Sequence, residues 1–159
     1  MAPLYSPLAL LAPFFSTLWP TLLLLFHLAG PVPDTLGPLA GGLAPCDAPA
    51  HCVRQDWPVA EPAEALARLA PQLAATPGLR IERYDSGARA PYLHATATSR
   101  FFGFVDDLEL LADPDEGLLQ VRSASRLGDS DLGVNLRRVE GLRRGLVDEG
   151  PTAVVERQG

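Results

Sequence analysis

The chain has 159 residues, enough for one domain with appendages, and 47% of them are hydrophobic, an ordinary share for a globular protein. Its formal charge of −6 argues against nonspecific binding to nucleic acid. Two cysteines and one methionine leave little for a metal cluster, and the sequence holds no P-loop, Rossmann glycine pattern, H-E-x-x-H or G-x-S-x-G, so no metal and no cofactor is expected.

The first 30 residues carry no charged side chain. Residues 8–30, LALLAPFFSTLWPTLLLLFHLAG, form an uncharged run of 23, against the roughly 20 a membrane-spanning helix requires. Pro13 and Pro20 predict a kinked helix, which a membrane tolerates better than water does. A cleaved signal peptide is the alternative, although no basic residue precedes the run; a buried soluble helix is a third. Residues 1–30 are taken as an anchor or uncleaved signal-like segment. The Pro/Gly-rich stretch 31–45 is taken as a linker.

Cys46 and Cys52 enclose a seven-residue ring with Pro49 to turn it, which fits a disulfide. Free thiols, or a metal held with His51 or His94, are the rival readings. An acidic domain with a cysteine pair fits the outside of the cytosol, tethered on the periplasmic side, better than the inside; secretion or a lipid anchor are the alternatives.

Residues 61–75 read as a helix, with Pro62 in its first turn and Leu66, Leu69, Ala70 and Leu73 on one face; Pro71 should kink or shorten it. Leu79–Tyr84 alternates as a strand, with Leu79, Ile81 and Arg83 on one side. Residues 92–100, 106–112 and 118–124 alternate in the same way, with a strong turn at Asp113–Gly117. Leu93, Ala95, Leu108, Leu110, Leu119 and Val121 face inward. His94, Thr96, Thr98, Glu109, Gln120 and Arg122 make an open polar face. Phe101–Val105 reads as a core corner around Gly103. Ser130 or Asp131 is placed to cap a last helix, along which Leu132, Leu136, Val139, Leu142 and Leu146 share a face.

The expected fold is α+β: a four-stranded, mostly antiparallel sheet with one N-terminal and one C-terminal helix on one face. This domain spans residues 46–147, followed by a flexible tail, 148–159.

Several segments together resemble a family of known sequence pattern, domain-of-unknown-function family 1499, found in bacteria and plant plastids. They are Tyr92-Leu93-His94-Ala95, Ser99 through Asp107, Val121 through Arg126, Ser130 through Asn135, and Arg138-Val139-Glu140. The C-x5-C with Val53 behind it is similar to the family's cysteine motif, although Ala50-His51 and Arg54 depart from its usual residues. The resemblance covers about residues 45–146. It implies an N-terminal signal or membrane segment and assigns no activity.

Two functional classes remain. The first is a noncatalytic binding or assembly module, bound to membrane through residues 8–30, with an unidentified protein or an anionic small molecule as partner. Its candidate polar site comprises His94, Arg100, Asp106, Asp107, Arg122, Ser123, Ser125, Arg126, Ser130 and Asp131. In it the arginines and serines would hold a carboxylate or phosphate. The simpler arrangement has Asp129 and Asp131 pairing internally with Arg122 or Arg126. The second class is a small hydrolase or transferase using His94 with a nearby carboxylate and a serine. It requires all three at the floor of a pocket.

Overall fold

The computed structural model describes residues 29–100 and 102–148. Five strands form a single antiparallel sheet: β1 (Cys52–Pro58), β2 (Leu79–Asp85), β3 (Tyr92–Thr98), β4 (Val105–Asp113) and β5 (Leu118–Ser125). Their order is β1-β5-β4-β3-β2. The chain enters at one edge with β1, crosses to the other edge through helix α1 (Pro62–Ala75), and returns strand by strand until β5 lies beside β1. Helix α2 (Val134–Asp148) follows.

The sheet has five strands where the sequence predicted four. The missed strand is β1, Cys-Val-Arg-Gln-Asp-Trp-Pro. Its core-facing set is Val53, Gln55 and Trp57, of which only Trp57 is fully buried, so its apolar alternation is faint. It is an edge strand, paired on one side only, and it ends on Pro58, which a central strand would not accept.

Both helices pack on one face. Leu66, Leu69 and Leu73 of α1 and Val139 and Leu146 of α2 close over Leu93, Ala95, Leu108, Leu110, Leu119, Val121 and Trp57. Helix α1 continues past Pro71 to Ala75. Leu132 and Leu136, expected on the buried face of α2, are exposed: Leu132 precedes the helix, which begins at Val134, and in its first turn Asn135 rather than Leu136 is buried. Asp131 supplies the cap: Oδ1 accepts the Gly133 N–H at 2.7 Å and Oδ2 the Asn135 N–H at 2.8 Å.

In β2 Leu79 and Ile81 face the core as expected, but a bulge between Ile81 and Arg83 reverses the expected sides from Arg83 onward. Arg83 pairs with His94, so it shares that residue's face, and its guanidinium lies 5.5 Å from the centre of the Tyr92 ring. Of the expected core corner Phe101–Val105, Phe101 lies outside the described residues, and Phe102 and Phe104 are exposed. Phe102 is 62% exposed, and its ring packs on that of Phe104, with centroids 5.9 Å apart. The loop closes on itself instead: the Ser99 N–H donates to the Phe104 carbonyl, and the Phe104 N–H to Ser99 Oγ.

Cys46 and Cys52 are disulfide-bonded. The carbonyls inside this ring hold the far end of the domain. Ala50 O accepts the Asp131 N–H, and His51 O accepts the N–H of Ser125 and Nδ2 of Asn135. The apolar run 8–30 lies outside the described residues except for Ala29 and Gly30, as does the tail beyond Asp148. Among the described residues no helix is long and apolar enough to cross a membrane.

Closing so small a ring removes unfolded-chain entropy worth about 2–2.5 kcal/mol. Reduction of the intact chain is therefore expected to lower its melting temperature by about 10 °C. Calorimetry with and without reductant checks this. An unchanged melt would mean that the Ala50 and His51 carbonyls hold the loop without the bridge.

Candidate functional site

Neighbouring residues on a strand project to opposite faces. Asp106 and Asp107 therefore serve different sides of the sheet, and the candidate polar residues divide accordingly.

On the helix side, Asp106, Ser123 and Ser125 meet α2. Ser125 Oγ donates to Asp106 Oδ1 at 2.6 Å, and Ser123 Oγ donates to Asn135 Oδ1 at 2.6 Å. Arg138 donates to Asp106 Oδ2, Ser123 Oγ and Asn135 Oδ1. Ser123 and Asn135 are completely buried. This cluster fastens α2 to β4 and β5. Asn135 and Arg138 were not among the expected site residues, although both stand in the segments that carry the family resemblance.

On the other face lie His94, Asp107, Arg122 and Arg126. Asp107 is buried and accepts both Nε and Nη2 of Arg126, at 2.8 and 2.7 Å. His94 Nε2 lies 2.8 Å from Asp107 Oδ1. An ionised carboxylate only accepts, so Nε2 carries a proton and donates to Asp107. Arg122 Nη1 donates to Glu109 Oε2 at 2.9 Å, and the Tyr92 hydroxyl donates to Oε1 at 2.8 Å. Burial pushes the Tyr92 phenol well above its usual range, and the Glu109 charge pushes it further. Arg54 stands opposite Arg122 across β1 and β5. Both Nε atoms are buried, with no hydrogen-bond partner among the described residues.

This face is not open. Residues 37–43, from the Pro/Gly stretch, lie across it as a roof. The Gly37 N–H donates to Glu109 Oε1 and the Leu43 N–H to Gln120 Oε1, both at 2.8 Å. Leu43 packs with Tyr92 and Leu111 in a small second core. Gly42 has a φ of +113°, and a Cβ there would fall inside the Gln120 amide, so glycine is required for the approach.

Beside the roof a cleft of about 710 Å³ remains, lined by His94, Thr96, Thr98, Arg126, Arg80 and Glu82 and edged by Ala29 and Val32. The Thr96 hydroxyl donates to Glu82 Oε1 at 2.7 Å, and Arg80 Nε donates to the same oxygen. The Thr96 bond, then Arg80, holds the Glu82 carboxyl below its usual value against a smaller opposing effect of burial. The strand pattern sets Arg80 and Glu82 on one side, opposite Leu79 and Ile81, but neither was expected in the site, and nothing in the pattern marks the bulge.

The expected anion cradle of Arg100, Arg122 and Arg126 with Ser123, Ser125 and Ser130 does not assemble. Arg122 and Arg126 face away from the two strand serines, Arg100 is an exposed loop residue, and Ser130 Oγ accepts the Leu132 N–H. Asp129 and Asp131 pair with neither Arg122 nor Arg126, whose partners are Glu109 and Asp107. His94 has its carboxylate and its cleft, but Ser123 and Ser125 are on the far side of the sheet. Cys46 and Cys52 are closed to metals by their bridge. Among the described residues no group of three or more His, Cys, Asp or Glu side chains is placed to hold a metal ion.

Burial would raise the Asp107 carboxyl, but hydrogen bonds from Arg126 and His94 and the guanidinium charge outweigh it and hold the group below its ordinary value. For Asp131 burial is likewise outweighed, by the N–H groups of Asn135 and Gly133. Both folded values lie below the unfolded ones. The stability they confer is thus fully present above about pH 4 and is lost as pH falls through the folded values. Urea unfolding across pH is expected to show this loss. In Arg126→Gln burial dominates at Asp107, and the acid transition moves to higher pH; an unmoved transition would show that the arginine does not set it.

A family model described as "Protein of unknown function (DUF1499)" matches residues 43–146. No curated protein and no solved structure matches the chain. The matched span opens on Leu43, which pins the roof to the sheet, and closes on Leu146, the last buried leucine of α2. It therefore takes in the disulfide, all five strands and both polar networks, and the chain belongs to the DUF1499 family of proteins of unknown function.

Proposed function

We propose that this chain is a membrane-tethered, noncatalytic binding module of the cell envelope, and that the cleft over His94 is its ligand site. One observation carries the proposal: the charged groups of the cleft are already held in place, and the hydroxyl held among them, Thr96 Oγ1, is spent on Glu82 rather than on His94. Asp107 fixes both Arg126 and His94, while Glu82 fixes Thr96. Preorganised groups of this kind bind at low entropic cost. Nucleophilic catalysis needs a hydroxyl or thiol bonded to its base, and among the described residues His94 is bonded to Asp107 while Thr96 donates to Glu82.

The donor and acceptor pattern defines the ligand class. Arg126 commits Nε and Nη2 to Asp107, which leaves Nη1 for an anionic oxygen. His94 spends Nε2 on Asp107, which leaves Nδ1 to bond a hydroxyl, itself both donor and acceptor. Arg80 at the rim adds a second cation. The ligand is a small molecule that joins a phosphate or carboxylate to a hydroxyl group. The tether rests on the 23 uncharged residues 8–30, and the envelope location on the acidic domain with its cysteine bridge.

Glycerol phosphate is a suitable probe. It is expected to raise the melting temperature of the full chain more than glycerol or inorganic phosphate does at equal concentration. Arg80→Ala, on a largely exposed side chain, should weaken that binding about 3- to 5-fold without loss of fold. Equal shifts from all three probes, unaffected by Arg80→Ala, would remove the cleft as the site.

The location has its own test. A membrane-impermeant maleimide applied to intact cells is expected to label the membrane fraction only after reduction. Labelling only after lysis, without reductant, would put the domain in the cytosol.

A further inference from the structure

The β3–β4 loop and the β5–α2 loop lie at the same end of the sheet, and their apolar side chains remain out in solvent. Phe102, Phe104, Leu127, Leu132 and Val134 surround one shallow cavity of about 310 Å³ there. Leu132 is 84% exposed and has a φ of +53°, a left-handed conformation that a bulky residue rarely adopts. Its place is enforced from both sides. Asp131 takes the N–H groups of Gly133 and Asn135, and Arg137 donates to the Leu132 carbonyl at 3.0 Å. The fold thus holds a leucine in a strained conformation without burying it.

The chain enters the domain at this end. A Cβ on Gly30 would stand 2.8 Å from Leu127 Cγ and 2.9 Å from Arg126 Cβ, so the backbone leaving the apolar run passes directly against the patch. The run is 23 residues long and uncharged, and its last residue, Gly30, lies beside the exposed Leu127.

We infer that this end of the domain docks on the lipid bilayer, with Phe102, Phe104, Leu127 and Leu132 dipping into the interface beside the tether. The inference rests on the tethered reading proposed above. A domain joined to its anchor at Gly30 has no spacer to lift the patch away from the surface, and aromatic and leucine side chains are suited to the interface. Exposed Arg100 and Asp129 stand in the same two loops and offset each other, so the contact is apolar and does not depend on anionic lipid.

The test uses the full chain in vesicles of dioleoylphosphatidylcholine or its brominated counterpart, which quenches nearby tryptophan. Trp19→Phe removes the tryptophan of the apolar run, while Trp57 stays buried in the core as a constant background. A tryptophan is placed by Leu132→Trp and, in case the strained position does not accept it, by Phe102→Trp. Val147→Trp is the control. Val147 is 70% exposed, 15 residues beyond Leu132 in sequence and roughly 20 Å along α2 from its start.

The patch tryptophans are expected to lose about half of their added emission in brominated lipid, and the control almost none. High salt should leave this unchanged. Patch and control tryptophans quenched alike, in protein that floats with the vesicles, would overturn the docking and leave the tether standing. A chain that does not float with vesicles would overturn the tether and the docking with it.

Discussion

A carboxylate with no solvent exposure in the middle of a β-sheet must be answered on every side, and Glu109 is that group. An unpaired ionised carboxylate in such a place is prohibitively costly. Arg122 answers one oxygen; Tyr92 and the Gly37 amide answer the other. Gly37 is 72 residues away in sequence, so satisfying Glu109 obliges the Pro/Gly stretch to cross the sheet. Once there, Leu43 bonds Gln120 and packs on Tyr92 and Leu111, and Cys46 follows three residues later to close its ring with the first residue of β1. Removing one member of a buried pair costs about 3–5 kcal/mol, because the other is left charged and alone. The roof, the second small core and the entry to the disulfide loop are therefore consequences of one buried charge.

The two-residue period of β4 and β5 turns one acidic-basic sequence into two separate devices. Asp106, Ser123 and Ser125 face α2 and satisfy Asn135 and Arg138, so the last helix is held by polar bonds at its first turn and by leucines further along. Asp107, Arg122 and Arg126 face the roof and the cleft. A shift of one residue in register would exchange the two sets and leave each charge without its partner, so the networks also specify the pairing of the strands.

Helix α1, the four strands from β2 to β5 and the turn at Asp113–Gly117 were legible because each carries a regular period and a punctuating residue. The core of Leu93, Leu108, Leu110, Leu119 and Val121 followed from alternation alone. Three features did not follow. Strand β1 is an edge with a single fully buried side chain in its core-facing set, so its period is weak. The roof has no period, and proline and glycine there read as a spacer although its amides complete the sheet's polar bonds. Phe102 and Leu132 are apolar residues kept outside, and hydrophobicity by itself assigns such residues to the core. Of the expected site, the individual residues were legible but their grouping was not, because the serines and arginines interleave along strands whose side chains part to opposite faces.

The protein has no lysine, and all 13 of its Lys-or-Arg positions are arginine. On the surface this needs no structural reason. Arg80, Arg83 and Arg89 pair with nearby carboxylates in solvent, where an ammonium would serve as well and either pair contributes little. Inside, the choice matters. Arg126 meets both oxygens of Asp107 with Nε and Nη2 while still lining the cleft. Arg138 reaches Asp106 with one terminal nitrogen, and Ser123 and Asn135 with the other. A lysine offers all its donors from one atom and could not span either set. A composition that base usage alone would explain is thus fixed by geometry at Arg126 and Arg138, where the planar fork joins strand to strand and strand to helix.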